Sequence, residues 1–192
     1  IFEDGSGKAY RNIKDGLFGL YFKRKEQSPT RAFSINRIVL EYINTTDQSG
    51  TFNRDSTGYE TGGNDNYFNH GIYRNGWTVH DMTIGTPLIT SPLYNDKVYW
   101  FDHIRNNKTR GVHVGMTGTF FAARFQLKYS YHESFGTNYH KFETFLTSHS
   151  GILEMSHYLK SDLQIKGYLA GDISAYYGNN VGFGFSLTKQ IF

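Results

Sequence analysis

The chain has 192 residues, a formal net charge of +3 and no cysteine. It is therefore expected to form one domain or part of one, without a disulfide framework or a thiolate metal site. A mean hydropathy of −0.53 disfavours a helical membrane protein, but not a transmembrane β-barrel, whose polar interior positions dilute the apolar signal. The uncharged segment Met82 to Asn95 is too short for a transmembrane helix and contains two prolines. The chain begins at Ile1 without a basic and apolar leader, so we expect a mature protein or an internal piece.

Two segments near the start, "GLFGLYFKR" and "NRIVLEYI", predict a first pair of strands. Apolar residues occupy every second position in both, which is typical of a strand with one apolar face. These positions are Phe18, Leu20 and Phe22 in the first segment and Ile38, Leu40 and Tyr42 in the second.

Three more alternating segments follow residue 108, namely "GVHVGMTG", "ARFQLKYSYHES" and "GILEMSHYL". The second is the clearest, because its apolar and aromatic positions alternate with polar or charged residues throughout. The apolar positions of the three are Val112, Val114 and Met116; Phe125, Leu127, Tyr129 and Tyr131; and Leu153 and Met155.

The C-terminal segment, residues 163–192, predicts a long antiparallel hairpin. Leu163, Ile165 and Leu169 alternate with polar residues, and Phe183 and Phe185 do so after a predicted turn at Tyr177 to Asn180. These strands are about twice the usual length. A membrane-spanning strand needs such a length and such a continuous apolar face, because lipid leaves no backbone group unpaired.

The predicted connections alternate in length. Short turns are expected at Glu26 to Arg31, Thr119 to Ala122 and Lys160 to Asp162, and long loops at Thr45 to Lys108 and Phe135 to His149. Outer-membrane barrels combine short periplasmic turns with long external loops. Seven strands are an odd number, whereas bacterial single-chain barrels have even numbers, so we expect the C-terminal part of a larger barrel. The Gly, Asn and Pro content of 45–108 argues against an eighth strand there.

Several motifs resemble, in the same order, the C-terminal half of capsule assembly proteins of the Wzi family in the form found in Bacteroidota. They include "DGLFGLYFKRK", "INRIVLEYINTTDQSG", "DNYFNHGIYRNGWTVHDMTIGTPLI", "LKYSYHESFGTNY" and "GYLAGDISAYYGNNVGFGFSLT", and the likeness extends from Lys14 onward. The resemblance implies an all-β outer-membrane barrel of about eighteen strands in a Gram-negative bacterium. It also implies a non-enzymatic protein that retains capsular polysaccharide, with outer-membrane lipid and possible further outer-membrane proteins as its partners.

The predicted extracellular or plug loop at 45–108 is rich in aromatic residues among Asn, Asp, Gly and Arg. Aromatic rings can contact the C–H faces of sugars, while amides and guanidinium groups reach hydroxyl or carboxylate groups. The predicted glycan-binding residues are Asn66, Tyr67, His70, Tyr73, Arg74 and Trp77. The alternative is that the aromatic residues fold the loop into a lid or plug, and the two roles are compatible.

A second predicted set consists of charged residues that face the barrel lumen. It comprises Lys23, Arg37, Glu41, Arg124, Lys128, Glu154, Lys166 and Asp172. One hypothesis is that the excess of positive charge attracts an anionic glycan. The other is that these residues form charge pairs that fill and stiffen the interior.

Other functions have weaker support in the sequence. A porin or solute channel is the main alternative, and single-channel conductance would distinguish an open lumen from a plugged one. An outer-membrane hydrolase is a more distant one, in which His132 or His140 could act as a base. The histidines lack the spacing of metal ligands. The oxygen-rich segments at Asp47 and at Asn64 to Asn66 lack the spacing of a calcium loop and are predicted to be turns. No sequence motif for nucleic-acid binding is present. We expect no catalytic residues, metal or cofactor.

Overall fold

A computed structural model describes residues 13–25, 32–51, 54–59, 62–95, 102–160 and 162–189. Within these ranges the protein is all-β, and its only helical element is a single 3₁₀ turn at Pro92–Tyr94. The strands there are β1 Gly16–Lys23, β2 Phe33–Asn44, β3 Thr78–Val79, β4 Met82–Thr83, β5 Thr109–Phe120, β6 Ala123–Gly136, β7 Lys141–Lys160, β8 Leu163–Ser174 and β9 Gly178–Lys189.

Seven long strands form one antiparallel sheet in the order β1-β2-β5-β6-β7-β8-β9, which confirms the predicted all-β class and strand number. The sheet has β1 and β9 as its edges in the described residues. The two-residue strands β3 and β4 form a separate hairpin within the 45–108 region, where no strand was predicted. No helix in the described ranges is long and apolar enough to cross a bilayer.

The prediction of a long loop from Phe135 to His149 is wrong. β6 continues to Gly136 and β7 begins at Lys141, so only four residues connect the two strands. The Thr137 N–H donates to the His140 carbonyl at 3.1 Å, and Gly136 has a φ of +84° that suits glycine. The predicted short turn at Glu26 to Arg31 lies outside the described residues.

The predicted turn at Tyr177 to Asn180 is displaced toward the N-terminus. The connection consists of Ala175 to Tyr177, and Asn179 and Asn180 already pair with β8. The Ser174 hydroxyl oxygen accepts the N–H groups of Tyr176 and Tyr177 at 3.1 and 3.0 Å. This local bond from side chain to backbone begins the turn before the glycine and asparagines are reached.

The register of β7, β8 and β9 separates an apolar face from a polar face. Leu153 lies opposite Leu169, which lies opposite Phe183 on the next strand. Residues directly opposite one another in an antiparallel pair project to the same side of the sheet. Ile165 and Leu187 are paired in the same way, so the predicted alternation becomes one continuous apolar face.

The other side of these strands is mostly polar. Ser156 lies opposite Lys166, and Lys166 lies opposite Ser186. The Lys166 ammonium group contacts the Glu154 carboxylate at 2.9 Å on this face. The period of two therefore gives the sheet one surface suited to an apolar medium and one suited to water.

The chain divides into two compact units. The first comprises Ile1–Leu17, Ile43–Gly111 and His132–Leu146, and it contains the region between β2 and β5. The second comprises Phe18–Tyr42, Val112–Tyr131 and Thr147–Phe192, and it contains the apolar and polar faces described above.

Gly118 allows close approach of β5 to β2. A Cβ at Gly118 would lie 2.2 Å from the Ser34 carbonyl oxygen, whereas a Cβ at Gly115 would meet its nearest neighbour at 3.7 Å. We expect Gly118→Ala to lower the free energy of unfolding by about 1–3 kcal/mol, because backbone must move. Gly115→Ala should leave it unchanged or raise it by about 0.5–1 kcal/mol. Thermal unfolding in detergent, followed by circular dichroism, measures both, and equal effects would contradict this account of β5.

Candidate functional site

The interior of the first unit is polar. Among its described residues, the apolar and polar side chains with at most 1% exposure are those of two isoleucines, Ile89 and Ile104, and of nine polar residues, Gln48, Ser49, Thr90, Asp102, Asn106, Asn107, Thr109, Ser134 and Thr137. Buried polar groups are costly unless they are hydrogen-bonded, so the order of this unit depends on specific partners. The described part of the predicted loop 45–108 therefore belongs to a folded unit with a hydrogen-bonded core.

Asp102 is the centre of one part of this core. Its carboxylate accepts hydrogen bonds from Asn66 Nδ2 at 2.9 Å, Thr137 Oγ1 at 2.6 Å and His140 Nδ1 at 2.5 Å. The donors come from the loop after β2 and from the turn between β6 and β7. One buried carboxylate thus links two segments that are distant in sequence, and charge-assisted bonds of this kind are among the stronger ones.

Asn107 is the centre of the other part. Its amide donates to Asn66 Oδ1 at 2.5 Å and to the Tyr67 carbonyl at 2.6 Å. Its side-chain oxygen accepts Gln48 Nε2 at 3.1 Å, and its carbonyl accepts Thr45 Oγ1 at 2.7 Å. These bonds hold the start of the loop region against its end.

The segment from Phe68 to Trp77 is a closed loop. The Trp77 N–H donates to the Phe68 carbonyl at 2.7 Å. The Asn69 side chain both accepts from the Ile104 N–H and donates to the Ile104 carbonyl, each at 2.8 Å. Gly76 has a φ of +60°, and a Cβ there would lie 2.2 Å from the Phe68 carbonyl oxygen. The base of the loop is thus fixed by backbone and side-chain bonds together.

The hairpin β3–β4 holds the other side of Trp77. His80 and Asp81 form its two-residue turn with φ values of +47° and +59°, as a primed turn requires. The Ile84 N–H donates to the Trp77 carbonyl at 3.1 Å. The main chain of Trp77 is therefore bonded at both its N–H and its C=O.

Large side chains on this rigid backbone project into water. Trp77 is 62% exposed, and Tyr73 is 73% exposed. Ile72 and Val79 are also exposed. We call these four residues the aromatic loop surface. Single exposed apolar residues are common, but four within one short segment make that segment a candidate binding site.

The structure separates the six predicted glycan-binding residues into two groups. Asn66 points into the polar core, where it contacts Asp102 and Asn107. Tyr67 is half-buried and lines a cavity of about 310 Å³ with Phe68 and Ile43. A direct role for these two in binding stays a prediction, and their observed contacts support the loop from within.

The other four predicted residues, His70, Tyr73, Arg74 and Trp77, are exposed. The His70 ring lies 5.0 Å from the Tyr73 ring, and its Nδ1 accepts the N–H groups of Ile72 and Tyr73 at 3.1 Å each. His70 therefore shapes the backbone that presents Tyr73. The sequence reading missed Ile72 and Val79, because isolated apolar residues in a loop carry no periodic signal.

The environment of Tyr67 raises the pKa of its phenol well above the ordinary value of 10.0. Burial is the largest cause, because it disfavours the phenolate, and the Asp15 carboxylate adds to it through its charge and a hydrogen bond. Asp15 also accepts the backbone N–H groups of Asp47 and Gln48 at 3.0 and 2.6 Å. The phenol of Tyr67 is consequently a neutral hydrogen-bond donor within the first unit.

The eight charged residues predicted to face a lumen all lie in the second unit, on β1, β2, β6, β7 and β8. The register places Glu154, Lys166 and Asp172 on the polar face, and Glu154 forms an ion pair with Lys166. Gly19 faces Glu41, since a Cβ there would lie 3.6 Å from the Glu41 side chain. Their assignment to a barrel interior stays a prediction.

The two histidines considered as possible bases differ in their surroundings. His132 is buried, whereas the His140 side chain is 43% exposed and bonds to Asp102. An aspartate can orient a histidine for general base catalysis. Here the same aspartate also accepts from Asn66 and Thr137, and the contact ties loop segments together. No group of three potential metal-ligating residues occurs in the part of the chain that the structure describes.

Comparison of the chain with protein-family models, with curated proteins and with solved structures finds no significant match.

Gly76 is expected to control the order of the aromatic loop. Gly76→Ala places a methyl group against the Phe68 carbonyl at a positive φ, which costs on the order of 1–3 kcal/mol. Opening of the loop should make trypsin cleavage after Arg74 about tenfold faster or more. Gly71→Ala is the matched control, since a Cβ there meets nothing within 4 Å. Equal cleavage rates for the two variants would contradict the role of Gly76.

Tyr67 is expected to make the first unit sensitive to alkaline pH. Because its folded pKa is raised, its contribution to stability is fully present below pH 10.0 and is lost as pH rises above that value. The thermal midpoint should therefore fall less between about pH 9 and about pH 11 in Tyr67→Phe than in the wild type. Tyr73→Phe, which changes an exposed phenol, should keep the wild-type fall. The same slope in Tyr67→Phe and wild type would refute the assignment.

Proposed function

We propose that this chain is the C-terminal part of an outer-membrane β-barrel that binds capsular polysaccharide through the aromatic loop surface and is not an enzyme. The full barrel would have about eighteen strands, as the resemblance to the Wzi family implies. The observation that carries the proposal is the pair of exposed rings, Tyr73 and Trp77, on a backbone fixed by hydrogen bonds.

The membrane part of the proposal is supported by the apolar face of the sheet. Val181, Phe183, Phe185 and Leu187 are between 61% and 84% exposed. Moving such a side chain fully out of water is favourable by about 1.5–3 kcal/mol of free energy, so the four side chains together account for about 6–12 kcal/mol. This equals the net stability of a whole domain, about 5–15 kcal/mol. If these residues face the hydrocarbon core of a bilayer, the unfavourable free energy of exposing them to water is avoided.

The edges of the sheet support a larger barrel. Among the described residues, the twelve-residue strand β9 pairs with another strand on one side only, and β1 is the opposite edge. In lipid each unpaired N–H or C=O group costs several kcal/mol. Additional strands between β1 and β9 would pair both edges and close the barrel.

The glycan part of the proposal follows from the chemistry of the loop. The C–H faces of a sugar ring are apolar, and they match the flat surfaces of Tyr73 and Trp77. The Arg74 guanidinium group and the phenol of Tyr73 supply hydrogen bonds beside these surfaces. Ordering the rings on a fixed backbone before the ligand arrives reduces the entropy cost of binding. A long polymer can then gain affinity from many weak contacts with many barrels.

Removal of either ring is expected to weaken polysaccharide binding. Trp77→Ala and Tyr73→Ala should each raise the Kd for capsular polysaccharide purified from the source bacterium by about tenfold or more. Surface plasmon resonance on the full-length protein in detergent measures this change. Tyr59→Ala is the matched control, because Tyr59 is 75% exposed but lies outside the aromatic loop surface.

All variants should be recovered from the outer-membrane fraction in wild-type amounts, since the substitutions lie in a loop. Wild-type affinity in both ring variants would contradict polysaccharide binding by this surface. Absence of the wild-type protein from the membrane fraction would contradict the barrel.

A further inference from the structure

The polar face of the second unit contains a concavity that the aromatic loop surface does not include. Its volume is about 580 Å³, within the range of about 300–1,000 Å³ that is usual for ligand sites. Residues from the five strands β2, β5, β6, β7 and β8 line it, among them Arg37, Thr117, Arg124, Glu154 and Lys166. A site assembled from five neighbouring strands is rigid, because each side chain is placed by the sheet.

The charges in this concavity are unequal. Three cations, Arg37, Arg124 and Lys166, lie with one carboxylate, Glu154, which leaves a net charge of two positive. Lys166 and Glu154 neutralise each other at 2.9 Å. Among the described residues, neither Arg37 nor Arg124 forms an ion pair. The excess positive charge therefore belongs to the two arginines.

The two arginines are suited to bind an oxyanion. A guanidinium group presents its N–H donors in a planar fork that matches the two oxygens of a carboxylate. The Arg124 guanidinium carbon lies 6.0 Å from the centre of the Tyr158 ring. A cation–π contact of this kind does not use the N–H donors of the guanidinium group in a hydrogen bond to the ring.

The remaining lining fits a sugar better than a small inorganic ion. Gln126, Gln164 and Ser156 offer amide and hydroxyl groups that can bond to sugar hydroxyls. A small inorganic ion lacks hydroxyl groups to use these partners, whereas an acidic sugar carries several of them beside its carboxylate.

We propose that this concavity binds the carboxylate groups of an acidic polysaccharide, with Arg37 and Arg124 as the anion-binding residues. The inference rests on the proposed function and names the class of polysaccharide as acidic. It adds a second contact for the same polymer on a different unit of the chain.

Isothermal titration of the full-length protein in detergent with a galacturonic acid tetrasaccharide tests this inference. Arg37→Gln/Arg124→Gln should weaken binding by about a hundredfold, since each charged hydrogen-bond donor accounts for about a factor of ten or more. Arg37→Lys/Arg124→Lys should fall between this variant and the wild type, because charge remains but the fork is lost. Lys160→Gln is the matched control and should keep wild-type affinity, since it removes a positive charge from β7 that does not line the concavity.

The fully methyl-esterified tetrasaccharide should bind at least about tenfold more weakly than the acid, because its carboxylates are neutralised. Wild-type affinity in the glutamine variant, equal binding of acid and ester, or equal binding of inorganic phosphate would overturn the inference. The unfolding midpoint of each variant verifies that the sheet is intact. The Trp77→Ala measurement with capsular polysaccharide tests the proposed function separately, so the two can fail independently.

Discussion

The pairing of opposite residues across neighbouring antiparallel strands is the constraint on which the second unit depends. Each strand alternates apolar and polar residues, but alternation alone does not align one strand with the next. The register between β7, β8 and β9 places Leu153, Leu169 and Phe183 in one row. A shift of one residue in any pair would move apolar side chains to the polar face. Both faces therefore depend on the register being kept along the whole sheet.

The first unit is stabilised by a different kind of interaction. Its interior contains amides, hydroxyls and the Asp102 carboxylate in place of a continuous apolar core. Hydrogen bonds are directional, and a buried group that loses its partner is costly. Such a core tolerates few alternative arrangements, which suits a unit that must hold exposed rings in place. Strand pairing in the second unit and side-chain hydrogen bonding in the first thus share the stabilisation of one chain.

The sequence was sufficient to predict the strands whose alternation is regular. β6, β8 and β9 were recognised because apolar positions recur at every second residue for most of their length. The start of β7 was missed, since "KFETFLTSHS" contains hydroxyl and charged residues at several positions. The last turn was misplaced because Ser174, which begins it through two hydrogen bonds, has no distinctive signal in the sequence. The alternation of apolar residues predicts which face of a strand is apolar, whereas the position of a turn depends on individual hydrogen bonds from side chains.

The candidate site was predictable only in part, for a similar reason. Aromatic density indicated the loop in which Tyr73 and Trp77 are exposed. The inward position of Asn66 could not be predicted, because its partners Asp102 and Asn107 are far away in sequence. Long-range polar contacts of this kind leave no local pattern. The concavity on the polar face likewise depends on the alignment of five strands.

The bond between Phe68 and Trp77 closes the loop at its base, so the intervening tip is structurally a self-contained module. Its residues from Gly71 to Asn75 can change in identity while the anchors Asn69, His70 and Gly76 stay the same. Immunoglobulin domains diversify in this way, with variable tips on constant supports. The unit beneath therefore keeps its fold when the side chains that the loop presents are exchanged.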